Sequence, residues 1–197
     1  LKDFILTYTI GDKLYLNCTN RCTCNCAFCI RKKSGVGYNL WLDREPEARE
    51  VIAALGDPGR FSEVVFCGYG EPLIRLDLVK EVASYIKSNF TLPVRINTNG
   101  HADLIHGQGS ALGLRGLVDQ INISLNAHDS RTYQEICRPS FGEKAYQAMI
   151  SFARSCVGVI PEITLSVVEW PGVDLERCRE VAEELGVGFR VRQYSGG

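Results

Sequence analysis

The sequence predicts an α/β fold, specifically a partial (β/α)6 TIM-like open barrel with parallel strands. Three observations lead there. Strand-like and helix-like segments alternate along the chain in six successive units, and regular β-α alternation implies a parallel sheet with helices outside it. A closed eight-unit barrel takes roughly 250 residues, about 31 per unit; at that rate 197 residues supply about six units and leave the barrel open. Unusual polar residues also follow strand after strand, at the end where parallel barrels carry their active-site loops.

Each element can be justified in turn. Residues 13–17 alternate polar and apolar side chains, as a half-buried strand does, and a cysteine-rich loop follows. Residues 43–55 have helical spacing, with Asp43 as the expected N-cap, acidic residues in the first turn and Gly56 as the stop. Val64, Val65 and Phe66 make a short buried strand, and Leu78, Val79, Val82 and Ile86 mark one face of the next helix. The third strand, 94–96, runs into Asn97, Thr98, Asn99 and Gly100. Glycine is frequent from 101 to 117, so only a weak helix is expected there. The fourth strand is 121–125. Asp129 can cap a helix that ends at the break of Pro139, and helical spacing resumes over 143–153. The fifth strand is 163–167, a helix at 175–185 is stopped by Gly186, and 189–192 is the sixth strand. No repeat, linker or low-complexity tract divides the chain, so 1–197 reads as a single domain.

Composition narrows the function. Hydrophobic residues are 45% and charged residues 23%, near globular averages. The net charge of −1 provides no basic field for nucleic acid. No run of about 18 apolar residues exists, so no membrane span is expected, and the opening segment lacks the features of a signal peptide. There are nine cysteines, an odd number, and five of them fall between positions 18 and 29. A secreted disulfide framework is usually even and built on a shorter chain. The 18–29 cluster therefore reads as a metal site in a reducing compartment, the cytoplasm. Cys137, Cys156 and Cys178 sit in helical patterns and read as small buried hydrophobes. His101, His106 and His128 have no metal-ligand spacing and read as surface or loop residues.

Cys22, Cys26 and Cys29 form C-x3-C-x2-C. Three thiolates can hold three irons of a [4Fe–4S] cube and leave the fourth open to a substrate, whereas electron-transfer clusters usually have four protein ligands. A zinc site commonly uses two cysteine pairs a dozen or more residues apart; Cys18–Cys22 and Cys26–Cys29 are separated by only three residues. A non-enzymatic iron–sulfur or zinc module for electron transfer or partner binding stays open as the alternative. Gly68-x-Gly70 could begin a dinucleotide fingerprint, but Leu73 occupies its third glycine position. Glu71, after an apolar strand and before Pro72, reads as a site acid; Asn97 and Asn99 read equally well as turn formers. The strict spacing leaves Cys24 out of the ligand set, turned away from the metal, while Cys18 and Cys67 lie on or beside the rim. Arg190 and Arg192 share one strand face opposite Phe189 and Val191. With the apolar pair outward, both arginines turn to the lumen, and Arg192, nearer the strand's C-terminal end, is the expected anion contact.

Asn20-Arg21-Cys22, Cys26-Ala27-Phe28-Cys29, Gly70-Glu71-Pro72, Asn97 to Gly100 and Ser124-Leu125-Asn126 together resemble radical S-adenosylmethionine (radical SAM) enzymes. The likeness runs through almost the whole chain and is nearest to the short TatD-associated radical SAM proteins. It implies that Cys22, Cys26 and Cys29 ligate a [4Fe–4S] cluster whose open iron is chelated by SAM. Gly70 and Glu71 match the part of the family's Gly-Gly-Glu motif that receives the methionyl amine; Tyr69 stands where the first glycine would be. Phe28 matches an aromatic position beside the adenine, and Ser124 and Asn126 match the ribose-contacting strand end. Asn97 and Asn99 join the cofactor-binding set, with Arg192 as a contact for the SAM carboxylate. The resemblance also implies an electron donor such as flavodoxin or ferredoxin. A minimal open core suits a large substrate, such as a peptide or protein.

Overall fold

The computed structural model describes residues 5–32 and 37–194. The termini of the expected 1–197 domain lie outside the described residues. Seven strands form one sheet in sequential order: β1 (Thr7–Ile10), β2 (Lys13–Leu16), β3 (Glu63–Phe66), β4 (Val94–Thr98), β5 (Gln120–Ser124), β6 (Glu162–Val168) and β7 (Gly188–Arg192). The last six are parallel to one another, each paired with the next. They are the six strands expected from the sequence.

The addition is β1, which pairs antiparallel with β2 across a turn at Gly11, whose φ is 60°. It covers the outer edge of β2, and a left-handed glycine is the natural residue for so short a connection. Four residues of Thr-Tyr-Thr-Ile are too short to stand out as a strand before the pairing is known.

Six helices connect the strands: α1 (Ala48–Ala54), α2 (Leu76–Asn89), α3 (Ala102–His106), α4 (Ser130–Cys137), α5 (Lys144–Cys156) and α6 (Leu175–Leu185). Helix α1 starts five residues later than Asp43 suggested. Pro46 disfavours helical backbone at the residue before it. The helix is instead capped at Glu47, whose N–H donates to the Glu50 carboxylate at 2.8 Å. Asp129 caps α4, accepting from the Thr132 N–H at 2.8 Å, and Gly186 ends α6 at a φ of 66°.

Strand parity divides the sheet into two contrasting faces. Val64, Phe66, Val94, Ile96, Ile121, Ile123, Leu165 and Val167 are buried in the apolar core, which α2 closes with Leu78, Val79, Val82 and Ile86. Of the alternate residues, Val65 and Val168 are apolar, but Glu63, Arg95, Asn97, Asn122, Ser124, Ser166 and Arg192 are polar. An ordinary parallel barrel fills its lumen with branched apolar side chains; this one places many hydrogen-bonding groups there. Among the described residues, no helix is long and apolar enough to cross a membrane.

Candidate active site

The loop after β2 is held from both sides. Asn17 Nδ2 donates to the carbonyls of Ile5 and Leu40 at 2.9 and 2.8 Å, and Asn20 exchanges hydrogen bonds with the Leu42 backbone. On the other side, the loop lies along the end of α4: Ala27 N–H donates to the Ile136 carbonyl at 2.8 Å and Asn25 N–H to that of Cys137 at 3.0 Å. Arg31 ties the loop together, donating to the carbonyls of Asn20 and Cys24 and, through Nε, to Cys29 Sγ at 3.3 Å.

A cavity of about 370 Å³ opens above the C-terminal ends of the parallel strands. Cys22, Cys26, Cys29 and Phe28 border it from the cysteine loop, and Gly70 and Glu71 from the loop after β3. Asn97 and Asn99 border it from β4, Ser124 and Asn126 from β5, and Arg192 from β7. The structure thus brings the three loop thiols and the expected cofactor-binding residues to one cavity. Phe28 stands edge-to-face with Trp170, ring centres 5.6 Å apart.

The donor chemistry suits an iron–sulfur cube. Three soft thiols on one loop face one cavity, the donor type that iron–sulfur clusters take. Burial pushes the Cys22 thiol up to about 11. Hydrogen bonds from Cys137 and Cys24 hold Cys26 below the usual thiol range, so a thiolate ligand is most accessible there.

One expectation about cysteine needs correction. Cys24 does not turn away: it borders the same cavity, with its sulfur 3.8 Å from Asn99 Nδ2, 3.8 Å from the Tyr133 hydroxyl and 4.0 Å from His101 Nδ1. Cys137 is buried in α4 as expected, and it also borders the cavity. Cys67 lines the cavity as well, whereas Cys18 is buried in the core.

His101 is a further correction. The sequence suggested a surface or loop residue; the side chain is fully buried. Its Nδ1 lies 2.8 Å from Thr23 Oγ1 and its Nε2 3.1 Å from the Tyr133 hydroxyl. Asn99 joins this group by donating from Nδ2 to Thr23 Oγ1 at 2.8 Å and accepting from the His101 N–H at 3.1 Å. It is therefore a clamp on the cysteine loop as well as a turn former. Thr23, Tyr133 and His101 escaped sequence reading because they come from three distant segments. The usable signal was a histidine three residues after the polar end of β4.

Glu71 is buried, and its carboxylate accepts from Thr98 Oγ1 at 2.7 Å, the Asn99 N–H at 2.6 Å and the Leu73 N–H at 3.0 Å. Burial pushes its pKa up to about 7 against the pull of those hydrogen bonds. Its own N–H donates to the Arg21 carbonyl at 2.8 Å, so this residue joins the cysteine loop to the end of β4. The two flanking glycines are sterically required. A Cβ on Gly70 would lie 2.3 Å from the Thr19 carbonyl oxygen, and one on Gly68 2.2 Å from Asn17 Oδ1. Tyr69 between them stands edge-to-face with Trp41, its hydroxyl donating to the Tyr38 carbonyl at 3.0 Å. A side chain is therefore admissible at 69 and excluded on either side.

Arg192 crosses the lumen. Its Nη2 lies 3.5 Å from Ser124 Oγ and 3.3 Å from Asn126 Oδ1, both neutral acceptors. Its Nε is buried without a partner, and burial lowers its pKa from the ordinary guanidinium value. Arg190 is exposed at the open edge, while Phe189 packs outward beneath the Arg179 guanidinium at 5.1 Å. Asn126 adopts a φ of 55°, which aims its amide at both Arg192 and the Val168 N–H.

Comparison with known proteins places the fold and the family. The chain is 32% identical over 183 residues to a probable GTP 3′,8-cyclase of Methanothermobacter thermautotrophicus, covering 88% of this chain and 56% of that protein. It is 30% identical to the GTP 3′,8-cyclase of Paenarthrobacter nicotinovorans, covering 90% and 48%. The chain thus spans about half the length of these curated relatives. Its fold matches the crystal structure of Streptococcus suis SuiB with a TM-score of 0.67 at 19% identity, covering 90% of this chain and 38% of the other. The profile of the Radical SAM superfamily matches residues 16–185. With the three-cysteine loop, the open parallel barrel and this match in one register, the chain belongs to the radical SAM superfamily of enzymes.

Proposed function

We propose that this chain acts as a single radical SAM core domain in the cytoplasm. Cys22, Cys26 and Cys29 hold a [4Fe–4S] cluster. Gly70 and Glu71 form the rim against the methionyl amine, Phe28 flanks the adenine, and Ser124 and Asn126 meet the ribose. Asn97 and Asn99 complete the wall, and Arg192 meets the SAM carboxylate. When bound, the cluster and SAM supply one electron and a 5′-deoxyadenosyl radical that abstracts hydrogen from the substrate. The protein orients the cofactor and excludes water. Glu71, with its oxygens engaged by Thr98, Asn99 and Leu73, fixes the rim. Asn99 and Arg31 donate toward ligand sulfurs, and such hydrogen bonds tune a cluster's potential. The electron comes from a donor such as flavodoxin or ferredoxin. The substrate reaches the mouth from outside and can be as large as a peptide or protein. The narrower likeness to the TatD-associated group rests on the motif pattern alone.

The observation that carries this reading is the convergence of three loop thiols and the polar ends of four strands on one cavity. The test is anaerobic reconstitution with iron and sulfide, reduction with dithionite, and assay of 5′-deoxyadenosine with and without SAM. Product that depends on both SAM and the cluster is expected. A cluster whose spectrum ignores SAM, or zinc bound in place of iron, would make this a non-enzymatic module.

A further inference from the structure

The lumen below the proposed SAM site is more polar, and more positive, than cofactor binding requires. Asn122 is the central observation. It is 8% exposed and borders the cavity, its Oδ1 has no hydrogen-bond partner, and no hydrogen bond engages its amide. A carboxamide left unpaired in a buried position costs on the order of 1–3 kcal/mol, so its natural partner is a ligand; with neither end held by the protein, the amide is free to turn either its oxygen or its Nδ2 donor toward that ligand. Its register neighbour on β4 is Asn97, which also borders the cavity and accepts from Arg95 Nη1 at 3.2 Å.

Charge specifies that ligand further. Lys13 and Arg95 both pair with the Glu63 carboxylate, so two cations share one anion at the lumen base. Arg192 stands above them, with no carboxylate within ion-pair distance among the described residues and with a partnerless Nε. SAM does not make up the difference: its ammonium and sulfonium outnumber its carboxylate. A buried guanidinium without a counter-anion is costly. Its fork of five N–H donors has room for a second acceptor beside the SAM carboxylate.

We infer that the substrate carries an oxyanion, a carboxylate or a phosphate, which enters the lumen and accepts from Asn122 Nδ2 beside Asn97, in the field of Arg192 and Arg95. This rests on the proposed radical SAM activity and adds the chemical class of the substrate. Asn122 plays no part in the proposed SAM contacts, so the two readings can be separated.

The experiment uses the reconstituted anaerobic protein with and without SAM. Inorganic phosphate, acetate and chloride are titrated at constant ionic strength, with thermal midpoint as the readout. SAM binding is followed separately by the change in the cluster's EPR signal. Saturable stabilisation by phosphate, acetate or both, but not by chloride, is expected, and the preferred anion identifies a phosphate-bearing or carboxylate-bearing substrate. Asn122→Asp, of equal size but negative, should weaken anion binding at least tenfold and leave the SAM-induced signal intact. Asn122→Ala, which adds no charge, should weaken it several-fold. If neither oxyanion exceeds chloride, or if both variants bind like wild type, the inference is wrong while the radical SAM reading stands. If the anion binds but SAM leaves the EPR signal unchanged, the radical SAM reading fails and the site is not a substrate site.

Discussion

Glu71 and His101 are both buried beside the segment that carries Asn99, and burial acts on them in opposite directions. The Glu71 carboxyl rises from 4.5 to about 7. Between those values the folded chain keeps a proton that the unfolded chain releases, so stability falls as pH rises through this window. His101 falls from 6.5 to about 4. Here the unfolded chain takes up a proton that the folded chain refuses, so stability falls as pH drops through the window. The two windows overlap and the slopes oppose each other. The iron-free wild type should show a shallow dependence of thermal midpoint on pH between 4.5 and 6.5. His101→Gln should expose the Glu71 slope, with the midpoint decreasing as pH rises, and Glu71→Gln should expose the opposite one. Three parallel profiles would show that neither group titrates as its burial implies. A second residue-scale test concerns the ligands. Cys22→Ala, Cys26→Ala and Cys29→Ala should each lose the intact cluster, because two thiolates hold a cube poorly. Cys24→Ala should retain iron, since the Cys24 sulfur is engaged with Asn99, His101 and Tyr133. Failure of Cys24→Ala to retain iron would reassign the ligand set.

The loop after β3 shows how an element, rather than a side chain, sets the site. Gly70 packs without a Cβ against the Thr19 and Arg21 carbonyls, so the cysteine loop and the Glu71 loop share one backbone seam. Gly70→Ala should push that seam apart. The expected outcome is a protein with unchanged circular dichroism that retains much less iron after reconstitution. Gly68→Ala should have a milder effect, because it meets the side chain of Asn17. Tyr69→Gly should leave iron content unchanged. If Gly70→Ala reconstitutes like wild type, the seam does not set the ligand geometry. This level was partly legible in the sequence. Strand period and glycine stops located the six parallel strands and most helices because a two-residue or 3.6-residue pattern is local. The start of α1 was misplaced because Pro46 overrode the acidic cap at Asp43. The hairpin partner β1 was missed because four residues carry too little pattern without their neighbour. The His101–Tyr133–Thr23–Asn99 group was invisible for a stronger reason: hydrogen bonds between distant segments leave no periodic trace.

At the scale of the molecule, the unusual property is a lumen with polar walls in an otherwise apolar barrel. Strand parity alone foretold it at β7, where Phe189 and Val191 alternate with Arg190 and Arg192. The same parity, read on β4 and β5, gives Arg95, Asn97, Asn122 and Ser124 on the inner face. An open barrel can hold such a wall because its last strand lies at an edge and part of its lumen meets water. The two arginines of β7 then have different surroundings: Arg190 is exposed, while Arg192 reaches across to Ser124 and Asn126 on β5. This separates their roles in the proposed cofactor site. Lysine in place of arginine keeps the charge but loses the planar fork that binds a carboxylate through two hydrogen bonds. Arg192→Lys should therefore weaken SAM binding by roughly tenfold or more, the scale of one hydrogen bond to a charged group. Arg190→Lys, already in solvent, should bind SAM like wild type. The measurement is anaerobic titration of the reduced cluster's EPR signal with SAM, with 5′-deoxyadenosine yield as a second readout. Equal affinities in both variants would remove Arg192 from the SAM site. The guanidinium, whose Nε has no partner, would then serve the substrate oxyanion alone, and in that case Arg192→Lys should reduce anion-dependent stabilisation while leaving SAM untouched.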